Sequence, residues 1–462
     1  MIRRLLHTLG SAIEELWNRP LLGPNKVGVE RPQAYRLAHP AHPRTIVIVA
    51  ACLAILAAGA AYMRASMFAP VLYKEFGYGD ERSGPKTFNL LFDSDVPQYT
   101  LLMTQWWAPQ HGVYSSRHPL VSLYMYPPTR ILQALGLSPM RAINTTMALT
   151  CGIWTILTFS LLVVWGCRMT DAIVFTILAN VSASALFWFS VPESHSFGSA
   201  TILAALILTL WPRNISAVAR YAAAAAVSLS MTTTNAIVGL FAGARHLTTR
   251  DFWIAGTSAW FIVCMLWAIQ KWAFPATEFF LGPRHVVSFF FALTPQRIGE
   301  VLQVMLSHTV VMPEIGVMAG AERVPVSSAV RIMTVQKSLL GTGGVWGLVA
   351  SLAWCGLLGL GIWAAFSVRC RLSELCLLAG GFLLAFFLVW SAETFLFSIN
   401  LLPFLIVLAA GVTFTRFRLL GVALAIVVIL FGGANNWTQF QRAVAITHEM
   451  DAFARSFPGA QP

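Results

Sequence analysis

Apolar runs close to the length of a bilayer crossing follow one another along almost the whole chain, and no other feature restricts the fold so severely. A spanning helix needs about 20 mostly apolar residues. Runs of that order lie at 45–66, 142–166, 171–191, 197–211, 217–231, 235–249, 252–272, 341–366, 373–391, 395–414 and 417–434. They predict an all-α polytopic membrane protein with a bundle of about 11 transmembrane helices, a few of them short. With 57% hydrophobic and 11% charged residues and a mean hydropathy of +0.68, the chain has too little polar surface for a soluble globule.

The net charge of +12 would suit nucleic acid, but its placement points to a membrane instead. Lys and Arg collect in alternate loops, as the positive-inside rule requires. The N-terminal arm carries Arg3, Arg4, Arg19, Lys26, Arg31, Arg36 and Arg44; later clusters are Arg168, Arg213 with Arg220, Arg245 with Arg250, Arg369 with Arg371, and Arg416 with Arg418. The intervening short loops hold Glu193, Thr232–Thr234 and Glu393 without a base. One orientation satisfies every loop, with residues 1–44 cytoplasmic, long loops 67–141 and 273–340 outside, and 435–462 an outer C-terminal tail. All seven cysteines then fall in spans or at cytoplasmic ends, which implies no disulfide framework.

About 44 residues precede the first run, so it is expected to be an uncleaved span rather than a signal peptide. Within the arm, Ile2, Leu5, Leu6, Leu9, Ile13, Leu16 and Trp17 predict an amphipathic helix over 2–18, lying on the anionic inner leaflet or docking a partner. The first outer loop carries Trp106, Trp107, Tyr114, Tyr124 and Tyr126, aromatics suited to headgroup depth. Its segment 119–137 is apolar, but Pro127, Pro128 and Arg130 interrupt it, and counting it as a span would invert every later loop. An interfacial helix is predicted there. The second loop is aromatic at first (Trp272, Phe274, Phe279, Phe280, Phe289–Phe291) and then basic, with Lys271, Arg284, His285, Arg297, His308, Arg323, Arg331 and Lys337. Such a loop either packs on the bundle or binds an amphiphile with an anionic headgroup.

Four acids fall on the outer side: Asp93 and Asp95 after the first span, Glu193 in Val191–His195, and Glu393 in Ser391–Thr394. Carboxylates at a bilayer rim are costly and are functional candidates, although capping and plain solvation account for such residues too.

In order and topology, residues 45–414 resemble the GT-C superfamily of membrane glycosyltransferases, most closely the bacterial aminoarabinose transferases and the protein O-mannosyltransferases. Asp95-Val96-Pro97-Gln98-Tyr99 is similar to the acidic motif after the first span of that group. His118-Pro119 is similar to its Lys-Pro or His-Pro-Pro step, and Arg141 to an Arg at the outer start of the second span. Thr233-Thr234-Asn235 resembles a Thr-Lys-Gly step, and Leu402-Pro403 a late Leu-Pro step. The chain departs in carrying Val96 for the second acid, no Lys in the middle motif, and Glu393 where relatives often carry a base.

The resemblance implies a GT-C-like bundle with interfacial helices in its outer loops. It also implies inverting transfer of a sugar from a polyprenyl-phosphate donor to a glycan, lipid or protein acceptor, in a bacterial inner membrane. Such a displacement needs a base and a positive environment for the departing phosphate. Asp95 is expected to be the base, with Asp93 beside it. Arg117, His118, Arg141, Arg284, His285, Arg323, Arg331 and Lys337 are candidates for the phosphate. Tyr99, Glu193, His195 and Glu393 are candidates for acceptor contacts or for orienting the others. No cofactor is implied, and no cluster has metal-ligand spacing; Asp93 and Asp95 would share a divalent ion only if a second loop contributed. A flippase for the same class of lipid suits about 11 spans with rim charges, and an O-antigen polymerase or ligase shares the bundle-plus-loop plan.

Overall fold

The computed structural model describes residues 43–74, 77–80, 84–87, 89–210, 215–280, 290–319, 331–368 and 370–456. The amphipathic helix expected over 2–18, and Arg284, His285 and Arg323, lie outside them. The fold is helical: α1 (Pro43–Ala65), α2 (Val96–Thr104), α3 (Gln110–Ser115), α4 (Val121–Ala134), α5 (Pro139–Trp165), α6 (Met169–Val181), α7 (Ala183–Trp188), α8 (Ser194–Leu210) and α9 (Ala217–Met231). There follow α10 (Ile237–His246), α11 (Thr249–Ala273), α12 (Pro295–Gln303), α13 (Val345–Val368), α14 (Arg371–Val389), α15 (Ser398–Ala410), α16 (Arg418–Val427) and α17 (Gly433–Ser456). Two antiparallel hairpins complete it, β1 (Gly77–Asp80) with β2 (Gly84–Thr87) and β3 (Gly316–Ala319) with β4 (Arg331–Thr334).

Among the described residues, seven helical stretches are long and apolar enough to cross a membrane: α1, α5, α11, α13, α14, the stretch containing α15, and the continuous run that begins with α16. The apolar runs at 171–191, 197–211, 217–231 and 235–249 form shorter helices. Burial sorts the long ones. The stretch Thr394–Phe414 is 89% buried and forms the centre, whereas α1 and α11 are 17% buried and stand at the periphery, where apolar side chains face lipid.

The ends of the helices follow from local chemistry. Ser138 and Pro139 open α5, since the fixed φ of proline suits the first turn and its missing N–H would be unpaired there. Gly166, at φ 110°, closes α5 by returning its N–H to Leu162 O and Val163 O. The run 171–191 is broken at Ser182, whose Oγ accepts the Ala185 N–H at 3.3 Å and starts α7. Backbone groups released by that break must find partners within the protein. Ala183 N and Ser184 N donate to Val310 O and Thr309 O. Asn436 Nδ2 donates to Val181 O and Val310 O, both at 2.8 Å.

Residues 435–456, expected as part of an outer C-terminal tail, belong to the helical stretch Arg418–Ser456 that begins with the last apolar run. The polar side of α17 grips the second long loop: Asn436 Oδ1 accepts Met312 N at 2.7 Å, Asn435 Nδ2 donates to Met312 O at 2.7 Å, and Gln439 Oε1 accepts Ile315 N at 3.2 Å.

The two long loops meet at one end of the bundle. Leu91 bridges to Met333 of β4, with Phe92 N donating to Met333 O at 3.2 Å and Met333 N to Leu90 O at 2.9 Å. Ser115 Oγ donates to Glu278 O at 3.0 Å and accepts Glu278 N at 2.8 Å. The first loop contains α2, α3 and α4, and the second contains α12. The segment predicted as a non-spanning helix is α4, which carries Pro127 and Pro128 within it.

Candidate active site at the acidic loop

The acidic motif sits on a strained turn. Phe92 and Asp93 are consecutive non-glycine residues in the left-handed region, at φ 49° and 59°. Each such residue costs on the order of 1–3 kcal/mol and persists only where its surroundings over-determine it. Here the Phe92 ring, fully buried, lies edge-on to Phe187 at 5.3 Å and Phe395 at 5.1 Å. Ser94 closes the turn, its N–H and Oγ both donating to Leu91 O, at 2.9 and 2.6 Å. The chain then enters α2 through Asp95.

Asp95 occupies the N-cap position but does not cap the helix with its side chain. Its carboxylate instead accepts from Asn89 Nδ2 at 3.1 Å and from the Tyr114 hydroxyl, and it feels the positive charge of Arg117. Burial raises its pKa, and the nearby Asp93 charge adds to the rise, against the lowering by Tyr114, Arg117 and Asn89. A carboxylate of raised proton affinity held by hydroxyl and amide donors suits a general base.

Around Asp95 the fold gathers residues far apart in sequence. Tyr99, one turn into α2, packs against Tyr114 with ring centres 4.4 Å apart and planes tilted by 38°, and donates its hydroxyl to Ser194 Oγ at 2.8 Å. Ser194 opens α8 and follows Glu193, whose Oε1 accepts from Ser194 N at 2.8 Å and Ser194 Oγ at 3.1 Å. The Glu193 carboxyl also accepts the backbone N–H of Asp95. Burial first, and then the Asp95 charge, push its pKa up to about 8.

His118 Nε2 lies 3.3 Å from Ser194 Oγ. Its Nδ1 faces Met231 O at 3.0 Å and Thr232 Oγ1 at 3.3 Å, so the proton belongs on Nδ1 toward the carbonyl. Burial, reinforced by Arg117, pushes His118 down to about 4. The imidazole is therefore neutral near physiological pH, and of the pair Arg117–His118 it is Arg117 that brings positive charge to Asp95.

Behind this cluster lie His195, Asn400 and the Thr233–Asn235 step. His195 lies 5.7 Å, ring to ring, from His118, and its Nδ1 accepts from Asn400 Nδ2 at 3.0 Å. Asn235 of the Thr233–Asn235 step donates to Gly198 O at 3.3 Å. A Cβ on Gly198 would meet Asn400 Oδ1 at 3.0 Å, Thr232 Oγ1 at 3.1 Å and Asn235 Nδ2 at 3.2 Å. Glycine lets these three polar groups close over the backbone of α8.

The other predicted residues lie elsewhere. Glu393 is buried but accepts from Thr334 Oγ1 and, at 3.4 Å, from Val335 N; it fastens β4 to the start of the Thr394 stretch. Arg331 pairs with Glu449 of α17 at 2.9 Å. Arg141, on the first turn of α5, and Lys337 are exposed and are not among the groups around Asp95. Asn89, Tyr114, Ser194 and Asn400 are the members that sequence reasoning missed. Only Ser194, between Glu193 and His195, carried a local signal. Among the described residues no group of three His, Cys, Asp or Glu side chains could hold a metal ion.

Fold and composition define the class: a helical, membrane-embedded protein with a buried ionisable cluster at one end of its bundle. No family model, curated protein or solved structure matches the chain.

Proposed function

We propose that the protein is a GT-C-type inverting glycosyltransferase that moves a sugar from a polyprenyl-phosphate donor to a glycan, lipid or protein acceptor at the outer face of a bacterial inner membrane. One observation carries this reading: Asp95, its proton affinity raised by burial, lies beside Arg117, Tyr99 and Glu193, with His118 and the Thr232–Asn235 step packed behind. These positions fall in separate parts of the chain, and Asp95, Tyr99, His118 and Asn235 are among those that resemble the GT-C motifs, whereas Arg117 and Glu193 are not and Arg141 lies apart.

In the proposed reaction the acceptor O–H attacks the anomeric carbon from the face opposite the phosphate. The new C–O bond forms as the bond to the phosphate oxygen breaks, the proton passes to Asp95, and the phosphate leaves with the bonding electrons. Arg117 supplies positive charge near Asp95 for the developing phosphate dianion. The bundle gives the polyprenyl chain an apolar surface beside the site.

The test uses purified protein in liposomes with a set of polyprenyl-phosphate sugars and cell-envelope acceptors. Asp95→Asn is expected to lower transfer by about 100-fold or more, in the range of a lost general base, with unchanged melting temperature and donor binding. Turnover near that of the unmodified protein would discard the mechanism. A carrier would behave differently, moving the lipid across the bilayer without forming a glycosidic bond and retaining that movement in the Asn variant.

A further inference from the structure

Glu193 is only 1% exposed, and its surroundings are lopsided. Oε1 takes both the N–H and the Oγ of Ser194, whereas Oε2 is buried with no hydrogen-bond partner among the described residues. Among the described residues no salt bridge reaches the carboxyl; its neighbours are Ser194, the Asp95 backbone N–H and, by charge, Asp95 itself. Asp95 by contrast has Asn89, Tyr114 and Arg117. A buried carboxylate without a countercharge neutralises rather than remain charged. When two carboxyls share one region, the proton settles on the one with poorer support for its charge.

We propose that Glu193 is the proton-bearing partner of Asp95: a neutral acid in the resting protein, protonated on Oε2, that leaves Asp95 as the only negative charge of the pair. Glu193 is then a positioning residue. It hands the backbone N–H of Asp95 a fixed acceptor while adding no second negative charge where a phosphate must approach. That approach rests on the transferase reading, but the protonation does not.

The other titratable groups facing this pair fit the assignment. Tyr99 and Tyr114 are held neutral by burial, with Glu193 and Asp95 raising them further. His118 is neutral, and His195 faces Asn400. Asp93 and Arg117 lie on the Asp95 side. Ionisation of Glu193 on the alkaline side of about 8 would add a further negative charge to those of Asp95 and Asp93 near Arg117.

Infrared difference spectroscopy of the full chain in lipid reads the proton directly. A protonated-carboxyl carbonyl stretch is expected at neutral pH, lost as pH rises through about 8 and missing in Glu193→Gln. In Asp95→Asn the same band should remain, and its loss should move to lower pH, because the negative charge of Asp95 that raises the proton affinity of Glu193 is gone. Absence of the band at neutral pH overturns the proposal even if Glu193→Gln fails to fold, and so does an unmoved titration in Asp95→Asn. In transfer assays, with activity compared only as a pH profile, Glu193→Gln should lose the alkaline fall expected of the unmodified protein. A variant with the same alkaline fall would also overturn the assignment. A band that behaves as expected in a protein that transfers no sugar upholds the neutral acid and removes the transferase reading alone.

Discussion

Glu193 and His118 sit within one hydrogen-bonded cluster yet respond to burial in opposite directions, because burial disfavours whichever form is charged. Glu193 is raised from 4.5 to about 8 and His118 is lowered from 6.5 to about 4. Between pH 4.5 and about 8 the folded protein keeps the Glu193 proton that the unfolded chain has released, so this group makes stability fall as pH rises through that window. His118 works the other way between about 4 and 6.5, where the unfolded chain binds the proton and stability rises with pH. Glu193→Gln removes the first contribution and leaves the second. Its melting temperature is therefore expected to gain on the unmodified protein steadily from pH 5 to pH 8. A constant difference across that range would show that Glu193 is ionised throughout.

At the scale of the element, the least expected device is the polar side of α17. A helix break at Ser182 leaves backbone groups that have no partner inside their own helix, and Asn436 answers two carbonyls and one N–H at once. Each buried backbone group left unpaired costs about 1–3 kcal/mol. Asn436→Leu, close in size but without hydrogen bonds, leaves Val181 O and Met312 N unpaired while Val310 O keeps Ala183 N, and is expected to destabilise by at least about 2 kcal/mol, read as a clear fall in melting temperature in detergent. The opposite end of the bundle has its own clasp, Arg418 donating to both oxygens of buried Asp171 at 2.7 and 2.8 Å. Thus α6 is held at its start by α16 and at its end by α17.

For the whole molecule, the contacts of Leu91 with Met333, Glu193 with Asp95, and Glu393 with β4 put both long loops and all four rim acids at one end. The base-rich loops lie at the other, where Arg418 meets Asp171 and Arg245 meets Glu374. By the positive-inside rule the acid-bearing end is expected to face outward. A cysteine at half-exposed Val113, in a chain without its seven native cysteines, is expected to react with an impermeant thiol reagent applied from outside the cell. Reaction only from the cytoplasmic side would reverse the orientation and move the Asp95 site with it.

The sequence by itself determined the helical membrane class, because apolar length is a property that consecutive residues carry alone. It also singled out Asp95, Arg117, His118, Glu193 and His195, since charged and imidazole groups stand out in so apolar a chain. Tertiary structure decided which of these meet. Glu193 joins Asp95 while Glu393, equally isolated in sequence, is spent on Thr334 and Val335. Arg331 goes to Glu449 and Arg117 to the acidic loop. Asn89, Tyr114 and Asn400 entered the cluster without a distinctive signal, because a hydroxyl or amide becomes significant only when folding removes water and fixes its partner. The neutral state of His118 and the raised proton affinity of Glu193 likewise exist only in the folded chain, where burial disfavours charge.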